Sequence, residues 1–154
     1  MDIAFLGEGQ KKRTPTKTWS EGEIAAKLKE FEDKIEDSKE NQGEIEVRDH
    51  ILDKAEFYAF EVQDKNKAEK IFREAYKMTG GASKKMEILF EILLMNIDKE
   101  DIVSCKKDIA ECHKLVEDGA DWDKKNKLKI FEGVYCMMIR DFKKASDLFV
   151  TSIA

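Results

Sequence analysis

Apolar residues recur at steps of three and four along most of the chain, which is the spacing of one face of an α-helix. The first such stripe consists of Ile24, Leu28, Phe31 and Ile35. Ser20 lies just before it and Glu23 follows three residues later, the pattern of a capping box. The chain is therefore predicted to enter its first helix near residue 20.

Short polar or glycine-containing segments interrupt this periodicity and divide the chain into helices. The predicted helices cover about residues 20–40, 44–62, 67–78, 84–97, 102–116, 122–139 and 142–154. Gly43 is expected to end the first helix in a left-handed conformation, and Ser83 to cap the fourth. The stretch Met86–Ile97 is the most apolar, but it is too short to cross a membrane and is predicted to be a buried helix.

Two segments of the chain repeat one another at an offset of 77 residues, QDKNKAEKIFREAY at 63–76 and RDFKKASDLFVTSI at 140–153. Aspartate, lysine, a small residue and phenylalanine align between them, at Asp64, Lys67, Ala68 and Phe72 and at Asp141, Lys144, Ala145 and Phe149. A middle unit near 98–116 is degenerate and is expected to lack the small residue. This offset is close to twice the period of a helix-pair repeat.

Small residues beside a large aromatic let two helices approach closely. The predicted fold is therefore all-α, with antiparallel helical hairpins stacked as a short, right-handed solenoid like that of tetratricopeptide repeats. An irregular helical bundle is the alternative. Residues 19–154 are predicted to form this domain, and residues 1–18 a flexible arm or a non-native extension. The basic run at 11–13 leaves a targeting role for the arm open.

Composition excludes several functional classes. The chain has 154 residues, of which 40% are charged and 42% hydrophobic, so it can bury a core. A net charge of −5 argues against a general nucleic-acid binder, and no apolar run reaches the ~20 residues of a membrane span. The odd cysteine count, three, implies no disulfide framework and favours a reducing, intracellular compartment.

The candidates for chemistry are few. Cys105 and Cys112 lie seven residues apart with His113 alongside, but a metal site needs about four convergent ligands, so buried packing cysteines are the preferred interpretation. Neither His50 nor His113 accompanies a recognisable nucleophile motif. No catalytic, cofactor or metal site is predicted, and the chain is not expected to be an enzyme. A hydrolase using acids and His113 stays as an alternative.

The segment GADWDKKNKLK at 119–129 opens the sixth helix. Asp121 is a natural N-cap, and Asp123 favours the positive end of the helix. Trp122 is expected to fold back on the preceding hairpin. The lysines are expected on the helix surface, at Lys124, Lys125, Lys127 and Lys129. They form either a solvated face or a docking patch.

This segment and its continuation to Ala154 closely resemble the Rpn-seven-type lid subunits of the 26S proteasome. The shared residues include Asp121, Trp122, Asp123, Lys124, Lys125, Asn126, Lys127, Arg140 and Asp141, which are taken as family-signature or partner-contact candidates. The stretch 43–79, including the run Arg48–Phe57, resembles the first helical repeat of the same family. Subunit 1 of the COP9 signalosome belongs to a related family and is the alternative.

The resemblance implies a non-catalytic scaffold that supports lid assembly and ubiquitin-dependent protein degradation, in the cytoplasm and the nucleus. Its partners would be other lid subunits and base subunits, with no nucleic acid, membrane or cofactor. In the family, a winged-helix PCI module follows the repeats. The chain is therefore expected to be an N-terminal fragment.

The last helix is expected to carry an exposed apolar strip, because a helical repeat cannot bury its face alone. The residues of this strip are Phe142, Ala145, Leu148, Phe149 and, further along, Ile153. A following hairpin would cover it in a longer chain. The isolated chain is expected to self-associate through it.

Overall fold

Helices account for most of residues 13–153, the part of the chain that the computed structural model describes. These residues form an N-terminal unit, 13–79, and a C-terminal unit, 80–153. Of the basic run at 11–13, Lys11 and Lys12 lie outside the described residues, and Arg13 lies within them.

The N-terminal unit contains α1 (Glu21–Asn41), α2 (Glu44–Glu56) and α3 (Lys65–Met78). α2 packs against both α1 and α3. At its end α2 continues as a π-helical segment, Phe57–Val62, which the periodicity did not predict. The predicted capping box of α1 is confirmed, because Ser20 and Glu23 bond reciprocally to each other's backbone N–H groups.

The C-terminal unit contains four helices, namely α4 (Ala82–Asp98), α5 (Ile102–Glu117), α6 (Trp122–Met138) and α7 (Phe142–Ser152). Consecutive helices pack against one another, and α4 also contacts α6. α4 is the buried central helix that its composition predicts. No helix within residues 13–153 is both long and apolar enough to cross a membrane. The all-α prediction and the packing of consecutive helices are confirmed within each unit.

Three helices begin with the same turn. A non-glycine residue with positive φ precedes an aspartate N-cap in each, at Gln63–Asp64 (φ 62°), Glu100–Asp101 (φ 57°) and Arg140–Asp141 (φ 64°). In each, the aspartate carboxylate accepts a hydrogen bond from the backbone N–H of the residue three positions later, with N–O distances of 3.1–3.2 Å. The turns are spaced by 37 and then 40 residues, which together make the 77-residue offset.

The middle unit therefore keeps the repeat, and the expectation that it lacks the small residue is wrong. Four residues after each N-cap aspartate stands a buried small side chain, namely Ala68, Cys105 and Ala145. Cys105 takes the role of alanine because a free thiol packs as a small hydrophobe. Four residues further, the large apolar positions are Phe72, Ile109 and Phe149.

Two expected caps are also wrong. Gly43 is extended, with φ −117° and ψ 175°, and is the N-cap of α2, while Gln42 ends α1. Ser83 lies inside α4, whose N-cap is Gly81. The Ser83 hydroxyl instead accepts the backbone N–H of Asp121 at 3.0 Å, and so contacts the start of α6.

Gly133 allows α6 and α7 to approach closely. A Cβ atom at this position would lie 2.7 Å from Cε1 and 2.9 Å from Cζ of Phe149. Overpacking typically costs about 1–3 kcal/mol, whereas alanine gains about 1 kcal/mol over glycine in a helix. Gly133→Ala should therefore lower the free energy of unfolding in urea by about 1 kcal/mol.

The control for this substitution is Gly22→Ala in α1, where a Cβ would meet nothing within 4 Å. This change should cost no stability. Adding Phe149→Leu to Gly133→Ala should recover part of the loss, because the ring atoms that the new methyl group meets are removed. An equal loss in the single and double variants would contradict the close-approach argument.

Candidate interaction surface

The start of α6 carries the residues that the sequence singled out. Asp121 occupies the N-cap position, but its side chain makes no capping hydrogen bond. Trp122 is 70% exposed, so the expectation that it folds back on the preceding hairpin is wrong. A large aromatic side chain held in solvent on the first turn of a helix is a typical anchor for a protein partner.

Lys124 corrects the expectation that the lysines of α6 lie on the surface. It is only 8% exposed, and its Nζ lies 3.1 Å from Glu87 Oε1 on α4. Desolvation alone would raise the pKa of Glu87, but hydrogen bonds from Lys84 and Lys124 outweigh it and hold the pKa below its ordinary value. Lys124 therefore joins α6 to α4 and is not available to a partner.

Asn126 and Lys127 also contact the C-terminal unit itself. The Asn126 side-chain amide donates to the Ser152 carbonyl at 2.6 Å, and so satisfies a backbone acceptor at the end of α7. This contact joins the beginning of α6 to the end of α7, as an antiparallel hairpin requires. The Lys127 ammonium lies 5.5 Å from the centroid of the Phe90 ring on α4.

Arg140 and Asp141 form the turn between α6 and α7 described above, with Asp141 as the N-cap. Much of the family-signature run thus supports the packing and turns of the C-terminal unit. Four of its residues are exposed at the beginning of α6, namely Asp121, Trp122, Asp123 and Lys125. We refer to these four as the α6 surface.

The apolar strip on α7 differs from the expected one. Ala145 is only 3% exposed because it lies at the small repeat position, so its predicted exposure is wrong. Leu148 and Phe149 are half-buried. The exposed apolar residues are Phe142, Val150 and Ile153.

Sequence reasoning missed Val150, although a signal for it existed. Positions 142, 146 and 150 follow steps of four and lie on one face of the helix. That face is turned by roughly 100° around the helix axis from the small position at Ala145. The strip was instead predicted from apolar residue type alone.

A second cluster surrounds His113, whose Nε2 lies 2.9 Å from Glu132 Oε2. Lys144 Nζ lies 3.4 Å from the other oxygen of Glu132, which raises the pKa of Lys144. His113 and Glu132 line a cavity of about 190 Å³ together with Val116, Lys125, Leu128, Lys129 and Leu148. One acid therefore meets His113, but the lining contains no serine, threonine or cysteine that could act as a nucleophile.

The cysteines are buried, as expected of packing side chains, with Cys105, Cys112 and Cys136 all free thiols. Burial, reinforced by the Asp108 carboxylate, raises the pKa of Cys112 to about 12, so it stays protonated at neutral pH. Within residues 13–153, no group of three or more His, Cys, Asp or Glu residues is placed to hold a metal ion.

Comparison with known proteins identifies the family. The family model described as 26S proteasome subunit RPN7 matches residues 19–154. The 26S proteasome non-ATPase regulatory subunit 6 of Dictyostelium discoideum is 39% identical over 132 residues, which are 86% of this chain and 34% of the relative. The corresponding homolog of Arabidopsis thaliana is 41% identical over 127 residues, 82% of this chain and 33% of the relative.

The more distant 26S proteasome regulatory subunit RPN7 of Saccharomyces cerevisiae is 28% identical over 130 residues, 84% of this chain and 30% of the relative. The chain thus spans about a third of the length of the curated relatives it matches. The match to the family model extends over all seven helices described above. The chain belongs to the 26S proteasome subunit RPN7 family.

Proposed function

We propose that the chain is part of a non-catalytic scaffold in the regulatory lid of the 26S proteasome, where it supports assembly and ubiquitin-dependent protein degradation. The observation that carries this proposal is the family match over residues 19–154. The relatives are named as regulatory, non-ATPase subunits. The scaffold acts in the cytoplasm and the nucleus, through contacts with other lid subunits and with base subunits.

The α6 surface is the proposed contact region. Trp122 offers a large apolar anchor, and Lys125 an exposed charge one turn along the helix. Asp121 and Asp123 add carboxylates beside them, so a partner of mixed charge with an apolar pocket fits this surface. Lys124, Asn126, Lys127, Arg140 and Asp141 contribute indirectly, by holding the helices that present it.

The test is affinity purification of the tagged full-length protein from its own cells, followed by mass spectrometry. Recovery of lid subunits is expected. Trp122→Ala and Lys125→Glu should each reduce that recovery, whereas Lys106→Glu on the exposed side of α5 should not. Absence of lid subunits from the purified complex would contradict the proposal, and unchanged recovery by both variants would contradict the contact region.

Two alternatives make different predictions in the same experiment. A scaffold of the COP9 signalosome would recover signalosome subunits instead, but the relatives reported above all carry proteasome names. A hydrolase would depend on the His113–Glu132 pair. For this alternative, hydrolysis of ester or peptide substrates that is lost in His113→Gln would be the required result.

We also expect the chain studied alone to self-associate through α7, since Phe142, Val150 and Ile153 are all exposed. Sedimentation velocity over a hundredfold concentration range should show a sedimentation coefficient that rises with concentration. Replacing the three residues by serine should remove this rise. A monodisperse monomer at every concentration would contradict the expectation.

A further inference from the structure

Residues 13–19, which we call the strap, lie along the π-helical end of α2 in the N-terminal unit. Thr16 and Trp19 donate three hydrogen bonds to a single oxygen there, Glu61 Oε2. Thr16 contributes two of them, from its backbone N–H at 3.0 Å and its hydroxyl at 3.1 Å. Trp19 contributes the third, from its indole Nε1–H at 2.7 Å.

Aromatic contacts complete the attachment. The Trp19 ring meets the buried Phe57 ring edge to face, with centroids 5.1 Å apart. The Lys17 ammonium lies 4.4 Å from the centroid of Trp19, and the Arg13 guanidinium 5.2 Å from that of Phe60. Phe57 and Phe60 both belong to the π-helical segment, so the strap covers a helix end whose regular bonding is already interrupted.

The polar part of this attachment depends on the negative charge of Glu61. Desolvation would raise the pKa of Glu61, but the hydrogen bonds from Thr16 and Trp19 together lower it below its ordinary value. The carboxylate is therefore ionised at neutral pH. It is a strong acceptor for three donors, and it would repel any negative group placed on them.

We propose that Thr16 is a phosphorylation site and that its phosphorylation releases the strap. Thr16 is exposed and lies in a non-helical segment, as a kinase active site requires of its substrate. In the sequence, Lys11, Lys12 and Arg13 stand five, four and three residues before it. This charge pattern fits a serine/threonine protein kinase with an acidic substrate groove.

The chemistry is a phosphoryl transfer from ATP. The Thr16 hydroxyl oxygen attacks the γ-phosphorus, and a new O–P bond forms as the bond to the bridging oxygen breaks and ADP leaves. The hydroxyl proton passes to the kinase base. The product carries a charge of roughly −1.5 to −2 at neutral pH.

This product cannot keep the contacts of Thr16. The hydroxyl donor is lost, and the phosphate would stand within a few ångströms of the Glu61 carboxylate, where like charges repel. Lys17 is the cation that follows Thr16 in the sequence, but its ammonium is bound to Glu23 at 3.1 Å. The strap therefore dissociates and leaves Trp19 in solvent and Phe57 uncovered.

The experiment uses the chain with Trp122→Phe, Thr14→Ala and Thr18→Ala, so that Trp19 is the single tryptophan and Thr16 the single threonine of the strap. An arginine-directed protein kinase and ATP are added, and mass spectrometry locates the phosphate. We expect phosphate on Thr16, a red shift of Trp19 emission and amide exchange at residues 16–19 that is roughly tenfold faster or more.

The Glu61→Gln chain is the matched control, because it removes the repelled charge. Its phosphorylated and unphosphorylated forms should differ much less in emission and exchange than those of the parent chain, because only the hydroxyl donor is then lost. Failure to find phosphate on Thr16 would overturn the assigned site. Unchanged Trp19 emission after modification, or an equal release in the Glu61→Gln chain, would overturn the release mechanism.

Discussion

Replacing Phe131 by alanine should lower the free energy of unfolding by about 3–5 kcal/mol, the range of buried aromatic truncations. Phe131 has no exposed surface and stacks on Phe90, with ring centroids 4.7 Å apart and an interplanar angle of 7°. These rings join α6 to α4 inside the C-terminal unit. Alanine would leave a cavity there, and the stacked partner would lose most of its contact.

Urea unfolding followed by far-ultraviolet circular dichroism measures this loss. The matched control, at a protein concentration at which the chain is monomeric, is Phe142→Ala, the same change at a side chain that is 62% exposed on α7. It should alter the free energy of unfolding by no more than about 0.5 kcal/mol, as surface substitutions do. Equal losses in the two variants would show that Phe131 does not occupy the core.

The number and approximate limits of the helices followed from periodicity and turn residues, because each amphipathic stripe and each polar break is a local property of the sequence. The capping box at Ser20 and Glu23 is local in the same sense. The π-helical turn at Phe57–Val62 was not predictable in this way. A π-helical turn holds one more residue than an α-helical turn, so the residues after it are displaced around the helix axis. No side-chain pattern in the segment indicates this displacement.

The repeated turn was only partly visible in the sequence. Aspartate N-caps are a known signal, but the residue before each one adopts positive φ without being glycine or asparagine. The middle repeat looked degenerate because Cys105 stands where the other two repeats have alanine. Cys105 was weighed as a metal ligand or a core side chain, and its place as the small residue of the repeat became clear only from the turn geometry.

For Lys124, residue type indicates exposure, whereas its position along α6 indicates burial. It stands four residues before Leu128 and seven before Phe131, on the face of α6 that is buried. The spacing indicates burial, but the surface was predicted because a lysine is usually exposed. Its partner could not be predicted, since Glu87 lies on α4, 37 residues earlier in the sequence.

Replacing Lys124 by methionine should lower the free energy of unfolding by about 2 kcal/mol at pH 7. Methionine keeps most of the apolar stem but removes the ammonium, so Glu87 is left in a partly buried site with Lys84 as its remaining cation. Loss of one partner from a fully buried pair costs about 3–5 kcal/mol, and the 28% exposure of the Glu87 side chain reduces that figure. Lys125→Met, one residue along and exposed, should cost less than about 0.5 kcal/mol.

The dependence of this loss on pH tests its electrostatic origin. The pKa of Glu87 is lowered in the folded chain, so the ionised carboxylate contributes stability above its ordinary value of 4.5. That contribution disappears as the pH falls through the lowered folded-state pKa. The difference in unfolding free energy between the parent chain and Lys124→Met should therefore be constant near neutral pH and shrink below about pH 4.5. A difference that persisted unchanged into acid would contradict the electrostatic origin of the loss, because Glu87 would then carry no charge for the Lys124 ammonium to pair with.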